Sequence, residues 1–389
     1  MALLSAREAA FLSLVSKGKI SESLTAWRNR ENPAEVDYRL AEKISYGTCQ
    51  MALALDWIAK ELTPKKKLSL KGRQKALLRS ALYQICFMDR IPLYAVANES
   101  GKIAGKYFGP YFAKFLNALL RRLQEGVPIL PQGNSIEDLS VRLSYPPFFI
   151  KELLRQNTPL QVLEEMNRPA KIFYRNRRTD EILPMENLAK VVISSDNYIQ
   201  NSTPCELMEF LGEGMNPKRI LDMCAAPGGK LVWLYDHFPN AEFVANDPSI
   251  ARSKRLKENR EKYGISAQIT HFKGEEFPCD ASFDLIVIDA PCSNSGVLHK
   301  RPEARWRLDE KHIKELEKLQ LQLLSRAKKI LAPGGRIWYL TCSILERENS
   351  MVASKSGLIL SKEKLIFPGP SGEDGGYGCC LSQNSSVQL

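Results

Sequence analysis

The chain has 389 residues, 44% of them hydrophobic and 25% charged, which suits a globular protein with two or three domains that each bury a core. No apolar run approaches the roughly 20 residues that a membrane-spanning helix needs, which excludes an integral helical membrane protein. The net charge of +11 is unevenly spread: residues 1–135 hold 21 Lys and Arg against 11 Asp and Glu, and residues 136–389 hold 34 against 33.

The N-terminal stretch MALLSAREAAFLSLVSKGK carries Glu8 and no small-residue cleavage site, so no secretory signal is expected and the cytosol is the expected location. Residues 1–130 read as an all-helical domain. AREAAFLSLV, AEKISYGTCQMALALDWIAKEL, RQKALLRSALYQICFM and PYFAKFLNALLRRL each repeat apolar residues at three- and four-residue spacing. In the last of these, Phe112, Phe115, Leu116, Leu119 and Leu123 share one face and leave Arg121 and Arg122 on another. Such stripes serve a core. The stretch KKKLSLKGRQK at 65–75 places six cations in eleven residues, and with the charge asymmetry it favours a nucleic-acid partner over a merely solvated face.

GVPILPQGNS at 126–135 is a Pro- and Gly-bearing linker. Residues 136–205 form a mixed connecting segment. Within it KIFYRNRR at 171–178 reads either as a phosphate-contacting edge or as a charged edge strand that resists aggregation. From 206 to 389 strands alternate with helices. RILDM (219–223), AEFVAND (241–247), AQITHF (267–272), DLIVID (284–289) and RIWYLTC (336–342) predict strands. A helix is predicted over 311–331, and Pro333-Gly334-Gly335 is expected to turn the chain into the last strand. This pattern predicts a doubly wound α/β sheet, in which ligands bind at the carboxyl ends of the strands.

Chemistry-bearing residues gather at those ends. After the first strand comes Asp222-Met223-Cys224-Ala225-Ala226-Pro227-Gly228-Gly229-Lys230, whose small residues let a ligand approach the backbone. It matches neither GxGxxG nor GxxxxGK[ST], which argues against a dinucleotide and against a Walker loop. Asp247 follows the second strand and suits a ribose hydroxyl or a helix N-cap. Glu275 follows the third and reads either as an acceptor for an adenine amino group or as a solvated loop residue. The fourth strand ends in Asp289-Ala290-Pro291-Cys292 and the fifth in Thr341-Cys342-Ser343. Two thiols at neighbouring strand ends are more than packing. The nine cysteines include no CxxC pair, and with four histidines they suit free thiols rather than disulfides or a metal.

In order, LDMCAAPGGK, NDPS, DAPCSNSGV, RPEARW, PGGRIWYLTCS and ERENS resemble the RsmB/Sun (Fmu) family of rRNA cytosine-C5 methyltransferases over nearly the whole chain. The helical front resembles the NusB-like RNA-binding domain of that family. The resemblance implies a class I, Rossmann-like methyltransferase domain, S-adenosyl-L-methionine as cofactor, and small-subunit (16S) rRNA as partner, naked or in a partly assembled particle. It implies a monomer that needs neither membrane nor metal. Alternatives are a tRNA cytosine-C5 methyltransferase and a non-catalytic RNA-binding assembly factor.

Cytosine C5 becomes nucleophilic once a thiolate adds to C6, and a carboxylic partner at N3 assists that addition. Spacing leaves open which thiol attacks. The resemblance implies Cys342 as nucleophile, Cys292 as the thiol that helps release the adduct, and Asp289 at the base. It implies cofactor contacts from Cys224, Ala225, Ala226, Pro227, Gly228, Gly229, Lys230, Asp247, Glu275 and Asp289, and RNA contacts from Lys300, Arg301 and Arg305. The chain departs from the family in carrying Glu275 where aspartate is usual. It also departs at 374–380, where Gly376 and Gly378 interrupt a usually aromatic strand and predict a weakened edge and loosely packed last residues.

Overall fold

The structure, a computed structural model, describes residues 3–64, 66–185, 194–280 and 282–383. Lys65 of the basic stretch, residues 186–193 of the mixed segment and the final residues 384–389 lie outside the described residues. The chain forms two compact units, residues 1–151 and 152–389.

The first unit is helical. Its main elements are α1 (Ala6–Val15), α2 (Ile20–Glu31), α3 (Glu35–Gln50), α4 (Ala52–Glu61), α5 (Gly72–Cys86), α6 (Leu93–Phe108) and α7 (Pro110–Arg121). The predicted run 41–62 is divided at Met51, whose ψ of 20° interrupts the helix. That break lets Ile44 and Leu55 enter two different apolar clusters. Gly109 (φ 86°) ends α6 and Pro110 opens α7, so a left-handed turn and a preset φ join the two helices. Phe112, Leu116, Leu119 and Leu120 of α7 are buried, while Arg121 and Arg122 stay exposed.

The cations at 66–75 divide in two. Lys66 pairs with Glu61 and Lys75 with Asp56, each at 2.7 Å. Lys67, Lys71 and Arg73 are exposed and form no ion pair among the described residues.

The second unit contains a small antiparallel sheet in which β1 (Phe173–Asn176) lies between β2 (Ile182–Pro184) and β3 (Asn197–Ile199). This corrects the edge placement common to both readings of 171–178. The strand is central rather than an edge. Arg175 is fully buried with Nη1 2.6 Å from Asp180, and Arg177 Nη2 lies 2.6 Å from Asp236. Carboxylates therefore engage these two guanidiniums, which a buried charge requires.

The larger sheet has seven strands: β4 (Arg219–Asp222), β5 (Glu242–Asn246), β6 (Gln268–Thr270), β7 (Phe283–Asp289), β8 (Leu331–Thr341), β9 (Ile359–Ile366) and β10 (Gly376–Ser382). Their order is β6-β5-β4-β7-β8-β10-β9. The strands β4 to β8 run parallel, and β10 is antiparallel to both β8 and β9. Leu285 and Val287 of β7 join one core and Ile286 and Ile288 the other, so the strand is buried on both faces. A continuous apolar run such as DLIVID is what two-sided burial demands. The predicted turn at Pro333-Gly334-Gly335 lies instead within β8, where the register against β7 shifts and Gly334 takes φ 76°. It is a bulge at the strand's start.

The expected loose C-terminal edge is also corrected. The strand β10 is interior and buried along its whole length. Its glycines sit in close packing: a Cβ on Gly376 would stand 3.1 Å from Thr203 Cγ2, and one on Gly378 3.0 Å from Leu340 Cδ2 and 3.3 Å from Leu211 Cδ1. Their missing side chains leave room for helix Ser202–Gly212, which carries Thr203 and Leu211.

Candidate active site

The strands β4, β5 and β7 bring their carboxyl ends together, and each delivers an acid. Asp222 ends β4 and is completely buried. Burial, and after it the neighbouring Asp289 carboxylate, raises its pKa to about 7. Neither of its oxygens makes a hydrogen bond of good geometry with the described residues. The Lys230 charge nearby offsets only part of that rise. Asp247, just past β5, is buried and accepts from Ala226 N at 3.3 Å and Ser249 N at 2.9 Å, so it braces the loop after β4.

That loop closes on Gly228, whose φ of 107° is open to glycine and whose absent Cβ would stand 3.0 Å from Leu256. Helix Gly229–His237 begins there and presents Lys230 inward. Lys230 Nζ lies 2.7 Å from Asp289 Oδ2. Burial is the largest influence and opposes its charge, but the surrounding groups, Asp289 first and Asp222 among them, together hold the ammonium above its usual range. Burial keeps the Cys224 thiol neutral. Ala225 and Asp247 are buried, Gly229 lies below Tyr198, and Pro227 O accepts from Asn259. Glu275 sits in the turn Gly274–Glu276 after β6, partly buried, with Arg326 Nε donating to its carbonyl.

The thiols meet because β7 and β8 are parallel neighbours with Asp289 opposite Leu340. Cys292 Sγ lies 3.1 Å from Cys342 Sγ, and Cys342 Sγ donates to Asn294 Oδ1 at 3.3 Å. The hydrogen bond with Cys342, together with burial, pushes the Cys292 thiol well up, so it stays protonated.

Below both loops lies a group that residue types alone do not disclose. Glu348 is fully buried, and its carboxylate accepts from Ser293 N at 2.8 Å, Ser343 Oγ at 2.6 Å, Gln320 Nε2 at 3.2 Å and Ser293 Oγ. Ser293 and Ser343 each follow one of the two cysteines, so a single carboxylate ties both loops. Burial raises its pKa despite these donors. Asn349 adds a second clamp, accepting from Thr341 Oγ1 at 2.6 Å and donating to Ser343 O at 2.9 Å. ERENS was legible as a string, but not that its second glutamate turns inward.

The three expected RNA contacts divide. Lys300 is partly exposed and pairs with Asp374 at 2.8 Å, and Arg301 reaches Asn294 Oδ1 at 3.2 Å. Arg305 is corrected: it is fully buried with Nη1 3.2 Å from Asn167 Oδ1, so it holds the fold and presents no charge to a phosphate in this conformation.

A seven-stranded, mostly parallel sheet with one antiparallel strand inserted beside its last parallel strand, and with acids at successive strand ends, defines a Rossmann-like methyltransferase. More narrowly, residues 211–364 match the family described as 16S rRNA methyltransferase RsmB/F, and residues 4–125 match the NusB family.

The chain is 29% identical over 418 aligned positions to the ribosomal RNA small subunit methyltransferase B of Vibrio cholerae, covering 94% of this chain and 93% of that one. Its counterpart in Proteus mirabilis is 28% identical over 359 positions, covering 82% and 83%. The crystal structure of PH0851 is similar in fold with a TM-score of 0.77 at 22% identity, covering 97% of this chain and 98% of that chain. A methyltransferase homolog protein from Pyrococcus horikoshii gives 0.56 at 19% identity, covering 65% of this chain and 100% of that one.

Proposed function

We propose that this protein transfers a methyl group from S-adenosyl-L-methionine to C5 of a cytidine in small-subunit rRNA through a covalent bond between Cys342 and C6. The observation that carries this reading is the thiol pair 3.1 Å apart, set beside the Lys230–Asp289 ion pair at the carboxyl ends of the same strands. S-adenosyl-L-methionine, when bound, supplies an electrophilic methyl group and positive charge. The orphaned Asp222 carboxylate, the backbone from Cys224 to Gly229 and the acids Asp247 and Glu275 suit such a ligand.

The resemblance to the family assigns the attack to Cys342, and the sulfur of Cys292, 3.1 Å away, is close enough to exchange a proton with it. Addition of the Cys342 thiolate to C6 moves an electron pair to C5; with S-adenosyl-L-methionine bound, C5 would bond to the methyl carbon as the sulfur–methyl bond breaks and a neutral thioether leaves. Asp289, held by Lys230, would stabilise a proton at cytosine N3. Cys292, having first given up its own proton, would then take the C5 proton, and the electron pair of that bond restores the C5–C6 double bond and expels the Cys342 thiolate. The exposed Lys67, Lys71 and Arg73 suit contact with the RNA backbone.

The test is incubation of the purified chain with small-subunit rRNA and methyl-labelled cofactor, followed by nucleoside analysis. Labelled 5-methylcytidine is expected, and its absence from both naked rRNA and partly assembled particles overturns the reading.

A further inference from the structure

The second unit holds a cavity that the proposed reaction leaves unused. It measures about 310 Å³ and lies between residues 165–171 and 368–373, with His299 in its wall. That size is at the lower end of the roughly 300–1,000 Å³ of ligand pockets. Its lining holds unsatisfied polar atoms. The His299 side chain is only 4% exposed, yet neither ring nitrogen makes a hydrogen bond with the described residues: Nε2 is 2.9 Å from Asp374 Oδ1 but poorly aligned, and Nδ1 has no partner. Glu373 Oε2 is buried and also lacks a partner. Buried polar atoms without partners cost stability, and a ligand offering both donors and acceptors removes that cost.

The rest of the lining says which ligand. Pro169, Ala170, Pro368 and Pro370 supply flat apolar surface for a ring, and Arg168 and Lys171 supply positive charge at the exposed rim. Arg168 is 61% exposed, with Nη1 2.8 Å from Glu165 Oε2. A planar heterocycle carrying an anionic group meets all of these features. Backbone hydrogen bonds link the segment beside the cavity to the thiol-bearing loop: Gly375 N donates to Gly296 O at 2.7 Å, and Gly296 N donates to Cys342 O at 3.0 Å. Lys300, beside His299, faces Asp374 from the same loop.

We propose that this cavity receives the base of a nucleotide flanking the target in the RNA strand. The base lies between the prolines, its polar edge meets His299 and Glu373, and its phosphate is held by Arg168 and Lys171. Single-stranded RNA is bound in this manner, by unstacked bases splayed into pockets. The proposal rests on the reading of the chain as an RNA methyltransferase.

Its test uses the full chain with a small-subunit rRNA transcript containing 4-thiouridine. Photo-crosslinks mapped by mass spectrometry are expected in peptides spanning 168–171 or 368–373. Ala170→Trp, which fills the cavity, is expected to abolish them and raise KM for the rRNA about tenfold, the worth of one stacked base, with kcat unchanged. If Ala170→Trp lowers Tm, His299→Ala provides the same comparison by removing the buried ring. A transcript that binds and is methylated without crosslinking to these peptides, and with KM unchanged in both variants, overturns the pocket and leaves the methyltransferase reading standing. A transcript that neither binds nor is methylated, naked or within partly assembled particles, overturns both.

Discussion

The sulfur atoms of Cys292 and Cys342 lie 3.1 Å apart although 50 residues separate them in the chain. Parallel pairing of β7 and β8 brings them together, and Glu348 beneath them holds both loops. The two thiols thus share one environment, but the proposed reaction gives them different roles.

That difference predicts distinct phenotypes. Cys292→Ala should methylate once and stall as a protein–RNA adduct, visible as a shifted band on a denaturing gel. Cys342→Ala should form no adduct and lose activity by at least about a hundredfold. The opposite banding would exchange the two roles.

Asp222 predicts a pH dependence. Its folded-state value of about 7 lies above its ordinary 3.8, so the native state holds this proton more tightly than the unfolded chain. The stabilisation is fully present below the unfolded value and is lost as pH rises through about 7. Thermal unfolding between about pH 5 and 8 should show Tm falling in that window, and Asp222→Asn should flatten the fall. A cationic ligand favours the ionised carboxylate. Affinity for S-adenosyl-L-methionine, read by calorimetry, should therefore rise over the same window, by at most about tenfold per pH unit.

Glu348 predicts a structural cost with a chemical signature. Glu348→Ala leaves the donors from Ser293, Ser343 and Gln320 without their acceptor and should destabilise by about 3 kcal/mol in denaturant unfolding. Its thiols should also react faster with iodoacetamide, because the loops that carry them lose their shared anchor. Glu348→Gln keeps one carbonyl oxygen and should fall between. Equal stability of all three proteins would remove Glu348 from this role.

The exposed cations predict a salt effect. Replacing Lys67, Lys71 and Arg73 with glutamate should weaken rRNA binding and lower the slope of log K against log salt by about 2. An unchanged slope would assign RNA binding elsewhere.

The sequence disclosed the sheet because its strands, buried on both faces, read as short apolar runs between amphipathic helices. Strand-end logic likewise brought out Asp247, Asp289, Cys292 and Cys342. It failed where the answer depends on tertiary neighbours. Gly376 and Gly378 suggested a weak edge because their partner, helix Ser202–Gly212, lies more than 150 residues upstream. Arg305 resembled a surface cation because its partner Asn167 is equally remote. Asp222 was visible, but its lack of a hydrogen-bond partner was not, since composition does not report desolvation.

The position of β10 has a consequence for biosynthesis. Tyr377 of this strand pairs with Thr341, the residue that precedes Cys342, and β10 alone joins β8 to β9. A nascent chain that has emerged only as far as β9 has no lateral partner for that flank of β8, so the thiol-bearing loop lacks one of its walls. The strand that completes this wall is thus the last strand of the sheet to be synthesised.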